Sequence, residues 1–184
     1  MADAIAMWHA EHADYSRLLD VLEEQVVTCH AGRDPDYSLM RDVVSYLRDF
    51  PDRFHHPRED VAFARLVKRN PGLQIPINRL LQEHRVIAAA GEELLKLLNE
   101  AVDGVPIARE TLEAAADVFL VYYRHHLAKE ERDILPLAAK LLTPDDWRIV
   151  AGAVSPTLDP LFGARFDERY RKLRERIAAK ASLA

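Results

Sequence analysis

Four histidines and two glutamates are spaced so that a helical chain would bring them to one point. Glu11-His12 is matched by Glu83-His84, and His55-x-x-x-Glu59-Asp60 is matched by His126-x-x-x-Glu130-Glu131. His12 precedes His55 by 43 residues and His84 precedes His126 by 42, so the second set repeats the first at offsets of 72 and 71. Residues i and i+4 share one helix face, with Cβ atoms about 5–6 Å apart. A histidine and a glutamate so placed can reach one ion or two neighbouring ions. One such pair is usually a surface contact. Two pairs in register with two lone histidines read as an internal duplication of a helical hairpin, each copy giving one His and one His-x-x-x-Glu.

Inside an apolar bundle, two unpaired glutamates would repel each other and be driven to protonate. Two di- or trivalent cations remove that cost. Mixed imidazole and carboxylate donors suit iron, ahead of manganese or zinc. Carboxylates bridging two ions would leave each ion two histidines and open positions for oxygen, peroxide or nitric oxide. The candidate ligands are His12, His55, Glu59, His84, His126 and Glu130. His56 with Asp60 is a second i,i+4 pair and stays open as an alternative. Aligning Glu59-Asp60 with Glu130-Glu131 favours His55, whereas His125 has Lys129 four residues on and offers no such pair. The Glu-x-x-His spacing of ferritin-type di-iron bundles is missing, since no histidine has a glutamate three residues before it.

Such a set needs long helices to carry it. Apolar residues recur at three and four, as in Leu18, Leu19, Leu22, Val26 and in Leu94, Leu95, Leu98, Val102, and no segment alternates like a strand. Breaks fall at Gly32–Pro35, Asn70–Gly72, Asp103–Pro106 and Leu142–Pro144. Long helices with short connections predict an all-α, up-down-up-down four-helix bundle over residues 1–142. Residues 143–184 are expected to form a C-terminal helical extension packed on the bundle. It starts with the cap signal Thr143-Pro144-Asp145-Asp146 and ends in a mostly charged helix over about 164–181. Pro51 and Pro57 fall inside the second helix and predict kinks beside His55 and His56.

The 184 residues carry a net charge of −5 with both signs interspersed, and no Lys/Arg run resembles a nucleic-acid footprint. Cys29 is the only cysteine, which excludes a thiolate zinc site. With no run of about 18 apolar residues and no basic-then-apolar start, the expectation is a cytoplasmic protein without membrane contact. The tail is the candidate surface for a homodimer contact.

Taken together, Glu11-His12, His55-His56-Pro-Arg-Glu59-Asp60, Glu83-His84 and His125-His126-Leu-Ala-Lys-Glu130-Glu131 resemble the hemerythrin family, specifically the bacterial branch with the HHE cation-binding motif. The resemblance covers about residues 1–142. It implies a non-haem di-iron centre, two iron ions with an oxo or hydroxo bridge, in a four-helix bundle. It also implies a small diatomic or peroxide ligand. Members bind oxygen reversibly, sense oxygen or iron, react with nitric oxide or peroxide, or serve in repair of damaged iron centres. A binding protein and an enzyme are therefore both open readings. One position departs from the pattern: oxygen carriers have a fifth histidine one turn before the helix-3 ligand, and here that residue is Leu80. His9, one turn before His12, is the candidate for an extra ligand. Tyr15 and Tyr122, one turn from His12 and His126, are candidates for hydrogen bonds around the site. His30 at a helix end needs no functional role.

Overall fold

A computed structural model describes residues 2–155, 157–163 and 167–181. The first bundle helix is α1 (Ala2–His30). The second comprises α2 (Tyr37–Phe50), a π turn at Pro51–His55 and α3 (His56–Arg69). The third is α4 (Gln74–Val102). The fourth comprises α5 (Arg109–Lys129), a π turn at Glu130–Ile134 and α6 (Leu135–Leu141). No strand occurs among the described residues. Neighbours pack as α1 on α2 and α5, and α4 on α2 and α5, which closes an all-α bundle.

The helix ends follow local chemistry. Gly32 and Gly104, just beyond α1 and α4, take the left-handed φ values of 74° and 79° that stop a helix cheaply only at glycine. Asp36 caps α2 by accepting from the Leu39 N–H at 2.9 Å.

Apolar side chains fill the bundle in two clusters. One holds Tyr15, Leu22, Tyr46, Phe119 and Tyr123; the other holds Trp8, Phe63, Leu80, Ile134 and Trp147. Each bundle helix passes from one cluster to the other through a polar band. In α1 it is Trp8, then His12, then Tyr15; in α4 it is Leu80, then His84, then Ile87. The candidate ligands are thus sealed above and below by hydrocarbon.

Beyond the bundle, α7 (Pro144–Ala151) lies on α3, and α8 (Arg171–Ala181) lies on α1 and α2. Thr143 and Asp146 form a reciprocal capping box, and Arg69 of α3 donates to Asp146 from Nε at 3.0 Å. Tyr46 donates to Asp159 at 2.8 Å, anchoring the loop between the two. The helix expected over 164–181 begins later, at Arg171 after a short turn at Glu168–Tyr170; residues 164–166 lie outside the described residues. No helix of the described residues is long and apolar enough to cross a membrane.

Candidate metal centre

Two prolines shape the helices that carry the acids. Pro57 has no N–H and its ring crowds the carbonyl four residues back. The helix widens ahead of it instead of breaking, and the His56 N–H reaches Pro51 O, five residues back. Pro136 repeats the device: the Leu135 N–H reaches Glu130 O. The kinks expected at Pro51 and Pro57 are therefore a π turn within a continuing helix, of the kind that often marks a site. The wider turn lets consecutive residues share the inner face. His55 and His56 are both buried, and each stands in a group able to hold a metal ion.

Seven side chains meet in the band: His12 from α1, His55, His56 and Glu59 from the second helix, His84 from α4, and His126 and Glu130 from the fourth. They form two groups, one of His56, Glu59, His84 and His126, the other of His12, His55, Glu59 and Glu130. Within each group one donor atom per residue lies within 4.8 Å of the rest. The carboxylates face both ways. Glu59 Oε1 lies 2.9 Å from His55 Nε2 and 3.4 Å from His12 Nε2, while its Oε2 lies 3.6 Å from His84 Nε2. Glu130 Oε1 lies 3.2 Å from His126 Nε2, while its Oε2 lies 3.6 Å from His12 Nε2.

All four carboxylate oxygens, with the Nε2 atoms of His84 and His126, are buried and lack a hydrogen-bond partner among the described residues. His12 Nε2 and His55 Nε2 face each other at 2.9 Å. Orphaned, converging donor atoms are costly in a dry core. A pair of cations would satisfy all of them, so the residues fit the metal that the spacing implies.

Every one of the five imidazoles has a carboxylate on its other nitrogen. Nδ1 of His12 donates to Glu131 at 2.8 Å, of His55 to Glu11 at 2.6 Å, of His56 to Asp52 at 3.0 Å, of His84 to Asp60 at 3.0 Å and of His126 to Glu83 at 3.3 Å. This fixes Nε2 as the atom turned inward and raises its basicity as a ligand. Glu11 and Glu83 serve the His of their own hairpin, whereas Asp60 and Glu131 reach across to the other hairpin. These acids stand in the repeated motifs, where only Asp60 has an expected role, as the alternative partner of His56. Asp52 has no counterpart, because position 123 in the second copy is Tyr and position 127, opposite His56, is Leu.

The structure separates the remaining candidates. Asp60 pairs with His84 rather than with His56. His9 is half exposed and binds Glu131 at 2.6 Å, outside both ligand groups. Tyr122 points outward at 42% exposure; its neighbour Tyr123 is the buried one, with ring centroid 6.4 Å from His56. Tyr15 packs 5.2 Å from His55, and neither buried hydroxyl has a partner among the described residues. Leu80 is core. Where Leu80 gives α4 no second histidine, His56 of the second helix stands in the group with His84. His30 lies half exposed near Asp117.

Charge follows geometry. Burial alone would lower the His12 and His84 pKa values, but the acids around them prevail and push them up to about 10 and about 12. Burial would raise Glu59, yet His55, His12 and His84 hold it well below the carboxylate range. His56, where burial prevails, falls to about 4 and is neutral at pH 7. In the metal-free protein the raised histidines contribute stability that is full below pH 6.5 and is lost as pH rises through 10 and 12. Glu59 contributes stability above its ordinary range that is lost on acidification. Metal must displace the protons of His12 and His84. Affinity measured between pH 7 and 9 is therefore expected to rise by roughly a hundredfold per pH unit, tenfold for each proton released. A pH-independent affinity from competition titrations would contradict this proton count.

A solvent-open hollow of about 410 Å³ reaches His12 between α1 and α5, with Ser16, Arg124 and Leu127 on its walls. No curated protein and no solved structure gave a significant match. Residues 3–138 match the family model described as hemerythrin HHE cation binding domain, and the chain, with its buried His/Glu groups able to hold metal, belongs to that family.

Proposed function

We propose that the protein is a non-haem di-iron protein that binds O2 or a related small molecule, nitric oxide or peroxide, for sensing, storage or delivery. The carrying observation is that Glu59 and Glu130 each present one oxygen to either side of the band, as carboxylates bridging two ions would. The proposed ligands are His12, His55, His56, His84, His126, Glu59 and Glu130. Two irons held there would supply redox chemistry and open coordination positions. His56, His84 and His126 serve one side and His12 and His55 the other, so the two-histidine side has more room for a small molecule. That is also the side the hollow reaches, through His12.

The test is metal content and the visible spectrum of protein purified in air, before and after dithionite and re-aeration. About two irons per chain, with bands that bleach and return, is the expected result. Bands that bleach for good would transfer the reading to redox turnover of peroxide or nitric oxide. Little metal after anaerobic ferrous loading would end the di-iron reading.

A further inference from the structure

A helix on the surface of a bundle usually turns charged residues outward. The outward face of α5 is instead apolar along its middle. Val118, Val121 and Tyr122 are 47%, 66% and 42% exposed, and Ala114 is exposed one turn before them. Among the described residues no other helix exposes two large apolar side chains on one face. In the tail, by contrast, Leu161, Tyr170 and Leu173 are buried in the bundle core. Contiguous exposed apolar surface, unlike single exposed residues, marks a place of contact.

The stripe is its own complement. Ala114, Val118, Val121 and His125 follow one another at intervals of 4, 3 and 4, the spacing of a helix-pairing seam. That series reads the same in both directions. A second copy laid antiparallel, with a two-fold axis between Val118 and Val121, sets each Val118 on the partner's Val121 and each Ala114 on the partner's His125. Charge selects the same arrangement. Asp117 and Arg124, seven residues apart, stand on one flank of the stripe. Antiparallel pairing brings each Asp117 beside the partner's Arg124, about 3 Å apart along the axis. Parallel pairing would set acid level with acid and base level with base. Asp117 is half exposed, 3.6 Å from His30. Arg124 bonds to Asp20 and Glu23 through Nη2 alone, and a guanidinium has five N–H donors.

We propose that α5 is the contact face for a second copy of this chain, packed antiparallel about a two-fold axis between Val118 and Val121. The helix is about 32 Å long and about 10 Å wide with its side chains. The contact therefore falls below the roughly 1,200 Å² of a standard interface and makes a weak, reversible dimer. No proposed metal ligand enters it, so its failure would leave the di-iron reading untouched.

Sedimentation equilibrium of the full-length protein is expected to show monomer and dimer exchanging, with Kd on the order of 100 μM. Val121→Glu sets like charges near the axis from an exposed position. It should weaken the dimer at least about tenfold while helicity stays unchanged. Asp117→Arg should weaken it roughly three- to fivefold. Adding Arg124→Asp to that variant re-forms the pair with its signs exchanged, and should restore the wild-type Kd within about twofold. Orientation is read by oxidation with diamide. The two thiols of Ala114→Cys would lie about 16 Å apart along the axis of an antiparallel dimer and should not join, whereas a parallel dimer would join them. Cys29, the one native thiol, is 2% exposed and should stay silent. A chain that stays monomeric at millimolar concentration, a dimer untouched by Val121→Glu, no restoration by the exchanged charges, or ready crosslinking of Ala114→Cys would each overturn the proposal.

Discussion

Glu59→Gln is expected to leave the protein unable to hold two irons against a chelator. Glutamine keeps the shape and one neutral acceptor, but it has no anionic oxygen and no second acceptor for the other side of the band. Glu59 faces His12 and His55 through one oxygen and His84 through the other. Losing a carbonyl or carboxylate that merely orients a ligand lowers metal affinity about 10- to 100-fold. Losing a shared carboxylate should exceed a hundredfold. The same change should destabilise the metal-free protein, because His12 and His84 remain held in the charged state by their other acids. Removing one partner of a buried charge cluster costs about 3–5 kcal/mol. Urea melts and chelator competition read the two effects separately. Two chelator-resistant irons in the variant would mean that Glu59 does not bridge.

His56→Leu should act on one ion only. It gives the first hairpin the residue that the second already has at Leu127, and so makes the two halves alike. The wild-type protein, with three histidines against two, is expected to show two iron environments of equal weight by Mössbauer spectroscopy. The variant should show one, and one iron per chain should become about tenfold or more easier to remove. Stability without metal should change by less than about 1 kcal/mol, because His56 is neutral at pH 7 and Asp52 keeps Arg48 at 3.3 Å. Two persistent environments in the variant would show that the inequality has another origin.

The contrast between these residues explains what could be read from the chain. The spacing of His12, His55, Glu59, His84, His126 and Glu130 placed them on shared faces of regular helices, and the structure brings all six together. His56 could not be read in the same way, because adjacent residues of an α-helix point about 100° apart. The π turn ahead of Pro57 ends at His55, and both histidines lie inside. Pro57 marks a disturbance in the sequence, but its outcome depends on packing, as does that of Pro136 beside Glu130. Tyr122 stands one turn from His126 on an ideal helix, yet its neighbour Tyr123 is the one that faces the core, the same one-residue problem of rotation. The acids Asp60 and Glu131 were legible as repeats, but their task is set by the register between hairpins, which no local spacing carries. The packing of the tail rests on pairs such as Arg69 with Asp146 and Tyr46 with Asp159, which are 77 and 113 residues apart in sequence.

The reach of Asp60 and Glu131 across the hairpin boundary means that neither hairpin can aim all of its own imidazoles: His12 and His84 each depend on the other half. Half of this chain, alone, would need a second half of the same kind to orient His12 or His84. A pair of identical halves would build such a centre, but symmetry would force both ions to be equal. Joining the halves in one polypeptide removes that constraint. Position 56 can then be histidine while its counterpart at 127 is leucine. Under the proposed di-iron function, fusion would let one ion specialise in anchoring and the other in meeting the outside world.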